Sequence, residues 1–245
     1  MKNNEYTRMN RDISLLETSG TNKDMLDSLE EAILLLGRSH RSGDVLDFEQ
    51  VVEFIAGQQI RYGRDAGIFV ESRNVSRSKP RVYTGERLQT YLAAKNILTI
   101  DSARALILSG STSDVVQSSI TLVDSWLEQQ CFSDFCAAGE CRHSSLAFIR
   151  YLNACSKTDR LETMISKLSK FRDGKGGWKG FPYFFTLLVL AEIESPIAND
   201  ELSYALASLE RRFKRSRSEE PYATRRNEIL TKVQNRFGQS LLSHV

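Results

Sequence analysis

Cys131, Cys136, Cys141 and His143 place four ligand-capable side chains within thirteen residues, in the pattern C-x4-C-x4-C-x-H. Any three of them would satisfy a zinc ion and leave one coordination position open. Cys141 and His143 stand at the entrance of an apolar helical segment, where a helix N-terminus lowers a thiol pKa, so these two are the catalytic candidates. The spacing matches no zinc knuckle or ribbon. Packing of reduced cysteines is the competing reading, and on it no cofactor is expected. The fourth cysteine, Cys155, completes a set confined to 25 residues. The polar amino end "MKNNEYTRMNRDISLLETSGTNKD" shows no secretory pattern, so reduced thiols and a cytoplasmic location are expected.

A second stretch with chemical content is "DGKGGWKGFPYFFT", residues 173–186. It has glycines and lysines but lacks the Gly-Lys-Ser/Thr ending of a phosphate loop. Trp178, Tyr183, Phe184 and Phe185 are candidate ligand contacts, together with Glu86, Arg87 and Arg142 at the mouths of two apolar segments. The alternative for the aromatic residues is a joint between neighbouring helices, with Trp178 filling a gap. A third stretch is basic. Residues 211–236 carry a net charge of +6 in a chain of net +2, and Arg211, Arg212, Lys214, Arg215 and Arg217 are candidates for a weak, sequence-independent polyanion contact.

These residues need a scaffold, and the periodicity says which. Apolar positions recur at helical spacing in Leu26-Leu29-Ile33-Leu36, Phe48-Val51-Val52-Ile55, Val116-Ile120-Val123-Leu127 and Leu161-Ile165-Leu168-Phe171. Convincing strand alternation is absent, and prolines number only four. The expected class is all-α. Three segments begin with glycine and carry leucine seven residues later, from Gly85, Gly139 and Gly180, each preceded by an amphipathic helix and a connector. Gln58-Gln59 and Gln129-Gln130 match as dipeptides in the first two connectors. This is a repeat of helical hairpins of unequal spacing, with a further short helix expected near 101–109. "FPYFFTLLVLAEI" is apolar all round, so the second helix of each pair belongs to an inner layer and the first to an outer one. The expected division is a polar segment at 1–23, the array at 24–195, and a basic helical pair docked on it at 196–245. No apolar run is long enough to span a bilayer.

The hairpin array, with connectors such as "DGKGGWKG" and the succession of "QQ" and "GIF" at 58–69, resembles the α/α toroid superfamily of terpenoid cyclases and protein prenyltransferases over residues 48–195. The resemblance implies a two-layer ring, incomplete at this chain length, with an apolar small molecule or peptide bound on the inner face. It also implies an open arc, or closure through a second copy. The superfamily's chemistry does not carry over. No Asp-x-Asp-Asp acid motif and no magnesium-holding acidic cluster occurs, and the place of the zinc-binding histidine is taken by Phe184 or Phe185. The expected function is ligand binding without the usual catalytic residues. The alternatives are an enzyme built on Cys141 and His143, with or without zinc, and an adaptor acting through its basic end.

Overall fold

The computed structural model describes residues 46–70, 80–215 and 220–238. The Leu26 to Leu36 stripe, His40, Arg217 and His244 lie outside the described residues. Within them the chain forms helices α1 (Leu46–Gly57), α2 (Tyr91–Ser109), α3 (Asp114–Leu127), α4 (Cys141–Ala154), α5 (Thr158–Ser169), α6 (Tyr183–Ala191), α7 (Pro196–Arg215) and α8 (Tyr222–Arg236), with a 3-10 turn at Cys131–Asp134. β pairing among the described residues is limited to the isolated bridges Gln59 to Phe69, Arg81 to Arg87 and Arg172 to Trp178. The class is all-α.

Among consecutive helices, α1 packs on α2, α2 on α3, α4 on α5, α6 on α7 and α7 on α8, so an inner helix meets the outer helix that follows it, and the array forms two rows. α2 packs on α4, α4 on α6 and α6 on α8, while α1 meets α3 and α5 meets α7 along the other row. The pattern of side chains explains the layering. Every residue from Phe185 to Ala191 in α6 is buried, as expected of a helix covered on all sides. α5 buries Leu161, Met164, Ile165 and Leu168 on one face and leaves Asp159 and Glu162 exposed. Each such buried side chain contributes roughly 1.5–3 kcal/mol, so the apolar stripes select which face turns inward.

Two features of the first repeat differ from the sequence expectation. α2 is one helix of 19 residues, with no separate helix near 101–109. It starts six residues after Gly85, whereas α4 and α6 start two and three residues after Gly139 and Gly180. The intervening residues turn back on themselves at the Arg81 to Arg87 bridge, and Thr90 then caps the helix by accepting from the Ala93 amide at 3.2 Å. The register shift has a visible consequence. Leu92 is 63% exposed, while Leu146 and Leu187 are fully buried.

Polar groups also cross the inner row. Arg150 of α4 makes a two-pronged contact to Glu192, Nε to Oε2 and Nη2 to Oε1, each at 2.8 Å. Asp101 and Arg104 of α2 approach the same pair at 3.6 and 3.4 Å. Burial pushes the Glu192 carboxyl up, but Arg150 and Arg104 outweigh it and hold it below the usual carboxylate range. Removing one partner of such a buried set costs about 3–5 kcal/mol, because the remaining charge is left uncompensated.

The first three connectors from outer to inner helix each dock on the next outer helix. The Gln59 side-chain amide donates to the Ser119 carbonyl of α3 at 2.9 Å. Arg160 and Lys167 of α5 donate to the carbonyls of Ser133 and Asp134 at 3.0 and 2.8 Å. Trp178 Nε1 donates to Glu201 of α7 at 2.7 Å. The joint therefore recurs three times. Glycine is required at two of these contacts. At Gly67 (φ +94°) a Cβ would lie 2.5 Å from the Leu122 carbonyl oxygen, and at Gly176 (φ +76°) it would collide with the Ser208 hydroxyl. No helix among the described residues is long and apolar enough to cross a membrane.

Candidate metal centre

The middle connector carries the cysteines. After α3 ends, the chain makes the 3-10 turn from Cys131, reverses at Phe135 in a left-handed conformation (φ 72°), and enters α4 at Cys141. Such a backbone is strained for a non-glycine residue and persists only where the surroundings hold it. Here the Phe135 ring packs on Phe171 and Phe181, with centroids 5.9 and 5.7 Å away. Ser145 of α4 fixes the next residue: its hydroxyl accepts from the Cys136 amide and donates to the Cys136 carbonyl, both at 3.0 Å. Arg142 donates from Nε to the Ala137 carbonyl at 2.7 Å and from Nη1 to that of Gly180 at 3.1 Å. With Arg160 and Lys167 holding Ser133 and Asp134, the segment is tied through the backbone at four of the five positions from 133 to 137, and the fifth, Phe135, is secured by its ring.

That scaffold brings three thiols together. The sulfurs of Cys131, Cys136 and Cys141 all lie within 4.8 Å of one another, and Cys131 and Cys141 are 3.8 Å apart. All are reduced. Two thiolates on one tetrahedral zinc, at about 2.3 Å from the metal, are separated by about 3.8 Å. The cluster therefore needs only a small contraction to hold such an ion.

The electrostatics point the same way. A hydrogen bond from the Ala138 backbone lowers the Cys136 thiol, against the opposing effect of burial. The Cys141 thiol is pushed up to about 12 by burial and by its sulfur neighbours. Deprotonation is thus favoured at Cys136, while burial and, after it, the neighbouring sulfurs oppose a thiolate at Cys141. A divalent cation removes that resistance, since it supplies the opposite charge to all three sulfurs at once.

His143 does not join the group. Its Nδ1 is buried without a hydrogen-bond partner, and burial lowers its pKa despite the pull of Glu140 and Glu86. The four candidates read from the sequence therefore divide into three clustered thiols and one separate histidine. Cys155 lies apart, beside Tyr151.

The charged candidates at the helix mouths have other partners. Glu86 accepts from the Phe184 and Phe185 amides at 2.9 and 3.1 Å, capping α6. Glu140 caps α2, accepting from the Gln89 and Thr90 amides at 2.5 and 2.7 Å. These bonds outweigh burial and lower the Glu140 pKa. Each carboxylate thus occupies the N-terminus of an inner helix in another hairpin, where an anionic ligand would otherwise be favoured. Arg87 is exposed, and Arg142 clamps the cysteine segment. Trp178 and Phe185 are buried, while Tyr183 and Phe184 are half-buried and line an open groove with Arg211 and Arg212. Lys214 meets Glu210 at 3.7 Å on an exposed face. Sequence reasoning placed Glu140 at a helix mouth without its partners and missed Ser145 and Glu201 as positioning groups. A lone Ser or Glu in a helical stripe was the only available signal, because their partners are remote in the chain.

No family model, curated protein or solved structure matches the chain. Function is therefore read from the site's own chemistry.

Proposed function

We propose that this protein is a helical-array metalloprotein that binds one zinc-class ion through Cys131, Cys136 and Cys141, with a fourth coordination position open to an exogenous ligand. The observation that carries the reading is the mutual approach of three sulfurs within 4.8 Å on a connector tied down by neighbouring side chains. Soft thiolates favour zinc and other thiophilic ions over magnesium or calcium. Cys131 is exposed, so the open position faces solvent. A cytoplasmic location belongs to the same reading, because reducing conditions keep the three thiols available. The two-row order and the recurring joints support a toroid-like array, with the metal placed at the entrance of an inner helix.

Protein purified without chelator is expected to carry about one equivalent of zinc per chain by elemental analysis. Cobalt substitution should give intense visible bands together with thiolate charge-transfer absorption. Cys136→Ser should lose both signals while keeping its helical circular dichroism. A wild-type protein that takes up neither ion at equimolar concentration under reducing conditions refutes the proposal.

A further inference from the structure

A second site stands away from the cysteines, where three separated segments converge. The connector at Gly174 to Gly176, the start of α6 and the exposed side of α7 flank an open groove of about 1060 Å³. This is the size of pocket that accepts a small organic molecule. Its walls carry the rings of Tyr183, Phe184 and Tyr204, and its charged lining consists of Lys175, Arg211 and Arg212, with no carboxylate among the lining residues.

The adjacent acid is already engaged. Asp173 accepts from the amides of Lys175 and Gly177 at 2.7 and 2.9 Å, from the Tyr204 hydroxyl at 3.0 Å and from Arg212 at 3.2 Å. Its engagement has two consequences. Those two loop amides are not available to cradle a phosphate, so anion recognition falls to side chains. Arg212 is also fixed in place, with Nε donating to Ser208 at 3.2 Å and its guanidinium 4.4 Å from the Tyr183 ring centroid. Lys175 and Arg211 are exposed and take part in no ion pair among the described residues. Two uncommitted cations beside an ordered guanidinium and three aromatic rings form a site with an anionic end and an apolar end.

We infer that this groove binds a small organic anion, a phosphate or carboxylate group carried on a planar apolar body. The anion meets Lys175 and Arg211, with Arg212 as the fixed third cation, and the body lies against Tyr183, Phe184 and Tyr204. The site is independent of the metal, since none of its residues belongs to the cysteine connector.

Calorimetric titration with 1-naphthyl phosphate and with 1-naphthoate tests the inference and distinguishes the two anionic groups. Saturable 1:1 binding of at least one probe is expected, weakening with added salt, with 1-naphthol and inorganic phosphate each binding less tightly. The double variant Lys175→Gln with Arg211→Gln should weaken the bound probe about tenfold or more at an unchanged thermal midpoint, since charge-assisted contacts are lost from exposed positions. Zinc content should stay as in the wild type. Absence of binding by both probes, or unchanged affinity in the double variant, overturns the inference. A single-stranded oligonucleotide that binds more tightly than either probe also overturns it, because the groove would then be part of a nucleic-acid surface.

Discussion

Between α3 and α4 the chain runs through two cysteines and enters α4 on a third, and between α5 and α6 it runs through four glycines and a tryptophan, yet both connectors dock on the outer helix that follows. In the second of these, the groups facing the neighbour are matched. Trp178 is buried and bonded to Glu201, and Glu201 is also held by Arg172 at 2.7 Å. The tryptophan ring lies 6.2 Å from both Tyr183 and Tyr204, measured between centroids. The cysteine connector is fixed just as firmly through its backbone, but its side chains gather without a charge partner. Equal support with unequal side-chain satisfaction separates a joint from a site: the tryptophan completes a core, whereas the thiols converge on a space that a cation would complete.

The largest expected effect tests the site. Zinc at about a thousandfold above its dissociation constant should stabilise the folded protein by about 4 kcal/mol. Thermal or chemical denaturation of wild type and Cys136→Ser, with and without the ion, should show the gain in wild type alone. Equal responses would erase the distinction between the two connectors.

Trp178→Ala tests the joint. It should cost about 3 kcal/mol or more, because a buried ring is removed and Glu201 loses a donor. Denaturant midpoints measure this. An unchanged midpoint would mean that the tryptophan, too, is part of a site.

A paired glycine experiment sharpens the packing argument. Gly174 and Gly176 share φ +76°, but a Cβ at Gly174 meets open space and one at Gly176 meets Ser208. Gly174→Ala should cost about 1 kcal/mol for the left-handed backbone. Gly176→Ala should cost measurably more, and equal costs would show that docking on α7 is loose.

Asp173 supplies a smaller effect with a defined pH window. Burial raises its pKa, but the Gly177 and Lys175 amides, Tyr204 and Arg212 outweigh burial and hold it at about 2, below the ordinary 3.8. The folded state thus favours the charged form. Its contribution is complete above about pH 4 and is lost as the pH falls towards 2. Asp173→Asn should flatten that part of the stability profile and leave metal content unchanged. The smallest effect is expected at His143: His143→Ala should retain the full equivalent of zinc, and a loss of metal would place the histidine back among the ligands.

Much of the architecture was legible in the one-dimensional pattern. The all-round apolar run at 183–190 marked an inner helix, and the one-sided stripe at 161–168 marked an outer one, since each helix must bury its own apolar surface. The first repeat was read in the wrong register because a glycine and the leucine seven residues after it were used to align it. Nothing local showed that the Arg81 to Arg87 bridge would delay α2 until Thr90. The cysteines could be identified as a candidate cluster, but their spacing could not separate them from His143. Helix α4 begins at Cys141, and its side chains do not share one direction.

The sequence by itself determined the helical class, the two-layer order and the restriction of cysteine chemistry to one connector, because burial periodicity and residue type are local properties. Only the tertiary structure decided that Glu140 and Glu86 plug the inner helix ends, that Tyr183 and Arg211 share a groove, and that three thiols meet while the histidine stands apart. Those outcomes depend on distances between segments remote in the chain, fixed by how the helices stack and where each connector is pinned.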